Sequence, residues 1–130
     1  MSQVEIVRRV YEAGAANDLE GQLDLADTGC VITQDPSLPW GGRHVGHQGL
    51  TAFLSALFDT IDAEVSTEAL FEADGHVIQC GGTRGAVRGN GATFELPEVH
   101  TWTVRNSKVV AAHFAIDTPA MLRALAGMSR

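Results

Sequence analysis

Val4, Val7, Val10 and Tyr11 recur at helical spacing, and Ser2 stands three residues before Glu5 as in a capping box. This pattern predicts an amphipathic helix from residue 3 to about residue 16. Asp18 is placed to cap a second, shorter helix carrying Leu19, Leu23 and Leu25. The run "CVIT" (30–33) is short and β-prone. Leu50, Phe53, Leu54, Leu57 and Phe58 then define a third helix with one apolar face. From Asp62 the period changes to two, with Ala63, Val65, Thr67, Ala69 and Phe71 alternating with Glu64, Ser66 and Glu68. Asp74-Gly75 signals a hairpin into a strand from His76 to about Arg88, where Gly81, Gly82 and Gly85 suggest a bulge or sharp bend. Asn90-Gly91 turns into a long strand, Thr93 to Arg105, and Asn106-Ser107 turns that into Lys108 to Ile116. Thr118-Pro119 caps and starts a last helix carrying Met121, Leu122 and Leu125. Segregated helices and sequential antiparallel strands predict an α+β fold. A strongly bent sheet wrapped around the helices would leave an open pocket.

Composition narrows the picture. A length of 130 residues suits one domain, 1–130, with no linker or repeat. The formal net charge of −7 and the scattered arginines argue against nucleic acid as a partner. No apolar run approaches the ~18 residues of a membrane span, and no leader pattern opens the chain, so a cytoplasmic protein without a membrane partner is expected. Cys30 and Cys80 set no disulfide framework and read as buried free thiols.

The chemistry concentrates in two places. In the strand from Thr93, the residues Phe94, Leu96, Glu98, His100, Trp102 and Val104 share one face. That face is the more apolar and should look inward, yet it carries a carboxylate and an imidazole. A buried charge is costly unless paired, so Glu98 either lines a pocket beside Trp102 or is turned out by a bulge near Pro97. His100 is either a satisfied core histidine or part of a site. The second place is "QDPSLPWGGRHVGHQG" (34–49), where an acid, an indole, an arginine and two histidines interrupt a run of Pro and Gly. Asp35 there is a turn starter or a general base at a cavity mouth. His44 and His47 lack the further ligands of a zinc site, so no metal is expected. His113 and Asp117 stand four apart, an exposed pair or a carboxylate orienting an imidazole. Nucleophile-elbow, phosphate-loop and dinucleotide motifs are missing.

The segments "IVRRVYEAGAANDLEGQLDLADTGCVITQDP", "PWGGRHVGHQGLTAFLSAL", "EVHTWTVRNSKVV" and "AIDTPAMLRAL" cover nearly the full length. In order and content the chain resembles SnoaL-like and ketosteroid-isomerase-related proteins of the nuclear transport factor two superfamily. The resemblance implies a cone-shaped α+β barrel, a curved antiparallel sheet around N-terminal helices, a deep apolar pocket and a homodimer formed through the outer sheet face. It implies that Asp35 stands where the isomerases carry their proton-moving Asp-Pro. It sets His100 at or beside the position of their acidic oxyanion donor. Val10 takes the place of their tyrosine donor, with Tyr11 one residue on, a rotation of about 100° around a helix. Asp117 is similar in placement to the acid/base aspartate of the polyketide cyclases.

The expected function is a cofactor-independent isomerase, cyclase or hydratase acting on a small, mostly apolar carbonyl compound. Asp35 would take the proton and His100 would hold the enolate oxygen, with Asp117 as a further acid/base. Tyr11, Trp40, Phe53, Glu98, Trp102 and Phe114 would bind the substrate. The alternatives are a binding module with the same pocket, and a dimerisation domain whose pocket is vestigial. Distance discriminates: Asp35 and His100 must face one another across one cavity.

Overall fold

The computed structural model describes residues 1–128. Helix α1 spans Gln3–Ala15, with the Ser2 hydroxyl accepting from the Glu5 N–H at 3.1 Å, as the capping-box pattern predicts. Helix α2 is Leu19–Asp24, and Asp18 caps it by accepting from Gly21 N–H at 2.9 Å. Strand β1, Ala26–Gln34, is longer than "CVIT" alone suggests. Strand β2, Gly42–Val45, lies inside the Gly/Pro-rich stretch and pairs antiparallel with β1, from Val31 opposite Val45 to Gln34 opposite Gly42. It is four residues of an edge strand with little apolar content, so no alternation signals it. Helix α3 is Gly46–Thr60. The meander follows as β3 (Ile61–Ala73), β4 (His76–Val87), β5 (Thr93–Arg105) and β6 (Lys108–Ile116), and α4 is Thr118–Leu125.

The six strands form one curved, unclosed sheet in the order β2-β1-β6-β5-β4-β3. Only β1 and β6 run parallel among neighbours. Ile6, Val7 and Val10 of α1, Leu50 and Phe53 of α3 and Met121 of α4 fill the concave side. They meet the inward residues of β5, all buried: Phe94, Leu96, Glu98, His100, Trp102 and Val104. This is the α+β cone that the sequence implies.

Three local features differ from the sequence expectation. Pro97 makes no bulge: the pairing of β5 with β4 is continuous through Gly82–Pro97, Gly81–Glu98 and Gln79–His100, so Glu98 stays in phase and faces inward. The bulge lies in β3 instead, between Thr67 and Ala69. It breaks the expected single face of Ala63 to Phe71, because Phe71 now pairs with Ile78 on the outer surface while Val65 pairs with Thr83 on the inner one. The bend is possible because a Cβ on Gly81 would lie 2.0 Å from the Ser66 carbonyl oxygen, and one on Gly85 would lie 2.0 Å from that of Asp62. The cap of α4 is Asp117 rather than Thr118, its carboxylate accepting from Ala120 N–H at 3.1 Å.

Candidate functional site

Alternation along β5 puts three polar or aromatic tips in succession on the concave face, and α1 lies over them. The Trp102 indole N–H donates to the Tyr11 hydroxyl oxygen at 2.9 Å. The same hydroxyl lies 2.7 Å from His100 Nδ1. On the other side of the imidazole, Nε2 stands 3.4 Å from Oε2 of Glu98. An indole can only donate, so the tyrosine oxygen accepts there and its own proton points to Nδ1. A neutral His100 then carries its proton on Nε2, facing the carboxylate. The result is a directed chain, Trp102 to Tyr11 to His100 to Glu98, with Glu98 only 4% exposed and His100 7%.

This chain is poorly compensated at its acidic end. Glu98 Oε2 has no well-formed hydrogen bond, because 3.4 Å is long for one and the alignment is poor. Burial raises the Tyr11 pKa far above that of an ordinary phenol, the Trp102 N–H partly offsets the rise, and the Glu98 charge adds to it. Tyr11 is therefore held as a protonated donor.

Aromatic rings join the chain to a cavity. Phe114, opposite His100 on β6, lies 4.7 Å from the imidazole centroid, 5.4 Å from Trp102 and 5.6 Å from Phe53. A cavity of about 50 Å³ opens on the far side of these rings. Its walls are Val10, Ala26, Ile32, Leu50, Phe53, Leu54, Trp102, Val109 and Phe114, with Gln22 the single polar side chain.

Trp102, Phe114, Phe53, Tyr11, Glu98 and His100 thus come together as one cluster, of which Trp102, Phe114 and Phe53 line the cavity while Tyr11, His100 and Glu98 lie behind them. Asp35 does not join them, so the Asp35–His100 pair facing across one cavity, which the enzyme reading required, is not formed. Residues Cys30, Ile32 and Gln34 of β1 point inward, so the next residue leaves the sheet on the outer side. The Asp35 carboxylate is exposed and accepts from the Ser37 N–H at 2.9 Å and the Ser37 hydroxyl at 2.6 Å. Those two donors, hydroxyl first, hold its pKa below the ordinary carboxylate value. It is the turn starter of the two readings. Trp40, expected to bind the substrate, does not line the cavity: it is 1% exposed, and its indole N–H donates to the buried Gln34 amide oxygen at 2.9 Å. Asp117 is exposed and spent on the helix cap, and His113 is exposed on the outer face with Thr33 Oγ1 2.7 Å from its Nδ1. The pair they were expected to form is replaced by these separate contacts. His44 donates through Nε2 to the Trp40 and Gly41 carbonyls and so braces the β1–β2 connection, while His47 donates to the Ala26 carbonyl and ties the start of α3 to the start of β1. Among the described residues no group of His, Cys, Asp and Glu is arranged to hold a metal ion.

Three buried or half-buried amides went unread in the sequence. Gln34 anchors Trp40; Gln79, fully buried opposite His100, donates to Thr67 Oγ1 at 3.2 Å; Gln22 faces the cavity. Gln34 and Gln79 fall on inward positions of β1 and β4, a signal that strict alternation would have exposed. Gln22 sits on a six-residue helix with no buried residue, where no pattern marks the inner face.

Comparison with known proteins places this cone in a family. The model of the SnoaL-like domain matches residues 7–112, and the chain belongs to that family. Solved structures of the same fold include a nuclear-transport-factor-two-like protein of unknown function from Burkholderia pseudomallei. It is 26% identical over 96% of this chain and 98% of its own, with a TM-score of 0.88. A second, from Burkholderia xenovorans, is 28% identical over 94% of each chain, with a TM-score of 0.86. A protein from Jannaschia that carries the name of a SnoaL-like polyketide cyclase shares the fold at a TM-score of 0.83. It is 20% identical over 94% of this chain and 90% of its own. No curated protein matches the chain. No described helix is long and apolar enough to cross a membrane.

Proposed function

We propose that the chain binds a small, mostly apolar carbonyl compound in the cavity beside Trp102 and Phe114. It would move a proton on that compound as a cofactor-independent isomerase, cyclase or hydratase does. The observation that carries this reading is the chain Trp102–Tyr11–His100–Glu98, which meets the cavity at Trp102 and, through the ring contact of His100, at Phe114. His100 takes the role first assigned to Asp35. The Tyr11 hydroxyl must first turn its proton from Nδ1 to the carbonyl oxygen, with Trp102 still donating to the phenol oxygen. The Nδ1 lone pair so freed takes the proton from the carbon next to the carbonyl, and Glu98 stabilises the imidazolium that results. Proton uptake and oxyanion stabilisation are thereby linked.

The test is deuterium exchange into the methyl groups of acetone in heavy water, followed by NMR. The protein should accelerate exchange over buffer, His100→Gln should abolish the acceleration, and Tyr11→Phe should lower it by roughly 10²-fold. Exchange that survives His100→Gln would overturn the assignment. The second reading, a binding module without turnover, is favoured by one specific feature: Trp102, Tyr11 and His100 Nδ1 satisfy one another and the cavity is apolar apart from Gln22. Acetone binding without any exchange would select it.

We also propose a homodimer through the outer sheet face. The rows Ala69–Cys80–Val99–Ala115 and Phe71–Ile78–Thr101–His113 follow from the strand registers and carry no carboxylate, lysine or arginine. Val99 and Phe71 are each 44% exposed there, and apolar rows of this kind are what a partner copy covers.

A further inference from the structure

The cavity has a single polar wall residue, and nothing in the protein uses it. Gln22 lines the space from α2, yet its side-chain amide makes no hydrogen bond with any described residue. Val10, Ala26, Ile32, Leu50, Phe53, Trp102 and Val109 are buried, whereas Gln22, Leu54 and Phe114 are half-buried, and of these three only Gln22 is polar. Gly14 of α1 leaves the amide its room: a Cβ there would lie 3.2 Å from Gln22 Nε2. An amide offers two donor hydrogens and one acceptor oxygen. A half-buried amide at the rim of an apolar slot favours a ligand that can bond to it by the ordinary worth of one neutral hydrogen bond.

Size and charge add two limits. By the same measure that gives about 50 Å³, one water-sized group needs roughly 10–15 Å³. About four non-hydrogen atoms therefore fit without displacing a wall. No charged side chain lines the cavity, so an ionised ligand would lose its hydration there with no partner.

We infer that Gln22 is the polar anchor that selects the ligand, and that the ligand enters with a neutral, slender group of about four non-hydrogen atoms bearing one hydrogen-bonding oxygen. This deepens the proposed function and rests on its choice of cavity, but not on catalysis. In this bound pose Gln22 Nε2 donates to that oxygen at the mouth and the hydrocarbon part lies against Trp102 and Phe114; the pose is distinct from the one that turns the oxygen to Tyr11 for exchange.

Four isosteric probes test the inference by NMR titration: acetone, isobutene, acetate and isopropylammonium. Acetone should bind and shift the Gln22 side-chain amide resonances, while acetate and isopropylammonium should not compete. Gln22→Leu should weaken acetone about five-fold, the ordinary worth of one neutral hydrogen bond, and leave isobutene unchanged. Gln22→Glu should weaken acetone and admit isopropylammonium, a gain that misfolding cannot mimic. Acetone affinity unaltered by both substitutions, or acetate bound as tightly as acetone, overturns the inference. Its failure is separable from that of the enzyme reading. Anchored acetone without exchange removes only the chemistry, and exchange indifferent to Gln22→Leu removes only the anchor.

Discussion

Tyr11 is the sole tyrosine of the chain, so its ionisation is directly visible as tyrosinate absorbance. An ordinary phenol titrates at 10.0, and burial with the nearby Glu98 charge pushes Tyr11 well above that. The perturbation is a rise in pH. Above pH 10 the unfolded chain releases the tyrosine proton and the folded one keeps it, so the unfolded state is the one stabilised by alkali. The contribution of the protonated phenol is fully present below pH 10 and is lost as pH climbs from there toward the folded value. The slope approaches about 1.4 kcal/mol per pH unit. By pH 11.5 the loss is about 2 kcal/mol, which for a chain of this length lowers Tm by about 8 °C.

Two measurements check this. Folded protein should show no tyrosinate absorbance with a midpoint near pH 10; the signal should appear together with loss of the folded circular-dichroism spectrum. Tyr11→Phe should lose the Tyr11 part of the alkaline fall in Tm, because lysines and arginines contribute equally to both proteins. At neutral pH the same variant strands the Trp102 N–H and removes the hydrogen bond at His100 Nδ1, at about 1–3 kcal/mol for each buried group left unpaired. A reversible tyrosinate titration near pH 10 in folded protein would refute the buried chain, and with it the site.

Asp35→Asn should leave acetone exchange within two-fold of the native protein, because the carboxylate is exposed and engaged with Ser37; a loss of 10²-fold or more would restore it as the base. Val99→Arg should turn a dimer into a monomer by sedimentation without lowering the far-ultraviolet signal, since it places a charge in the middle of two uncharged rows; a native protein already monomeric at high concentration removes the interface.

How far the site was legible in the sequence depends on phase. Along β5 a strict period of two carried Glu98, His100 and Trp102 to one face, and an uninterrupted register kept them there. The helices followed from their caps and spacing, Ser2 and Asp18 foremost. Phase was lost wherever a residue is inserted or a strand ends. The bulge at Thr67/Ala69 reversed Phe71. The end of β1 after inward Gln34 sent Asp35 outward, although a family analogy and a Pro neighbour both argued for the cavity. Trp40 has no periodic context, and its burial follows from its bond to Gln34, an interaction between two loop-bounded residues that spacing does not encode.

Tyr11 shows the opposite case. A displacement of one position on a helix is about 100°, which by itself would turn the phenol away from the place an oxyanion donor occupies. The chain meets it with a different partner set, an indole N–H from Trp102 and an imidazole in place of a carboxylic acid. Glu98 completes the set at a cost, since a carboxylate 4% exposed with one contact at 3.4 Å gains little stability from being there. A leucine at that position would pack beside Leu96 without stranding an oxygen. In the resting protein the carboxylate faces the Nε2 proton of a neutral His100, and under the proposed mechanism it would gain a second use by stabilising the imidazolium formed when Nδ1 takes a proton.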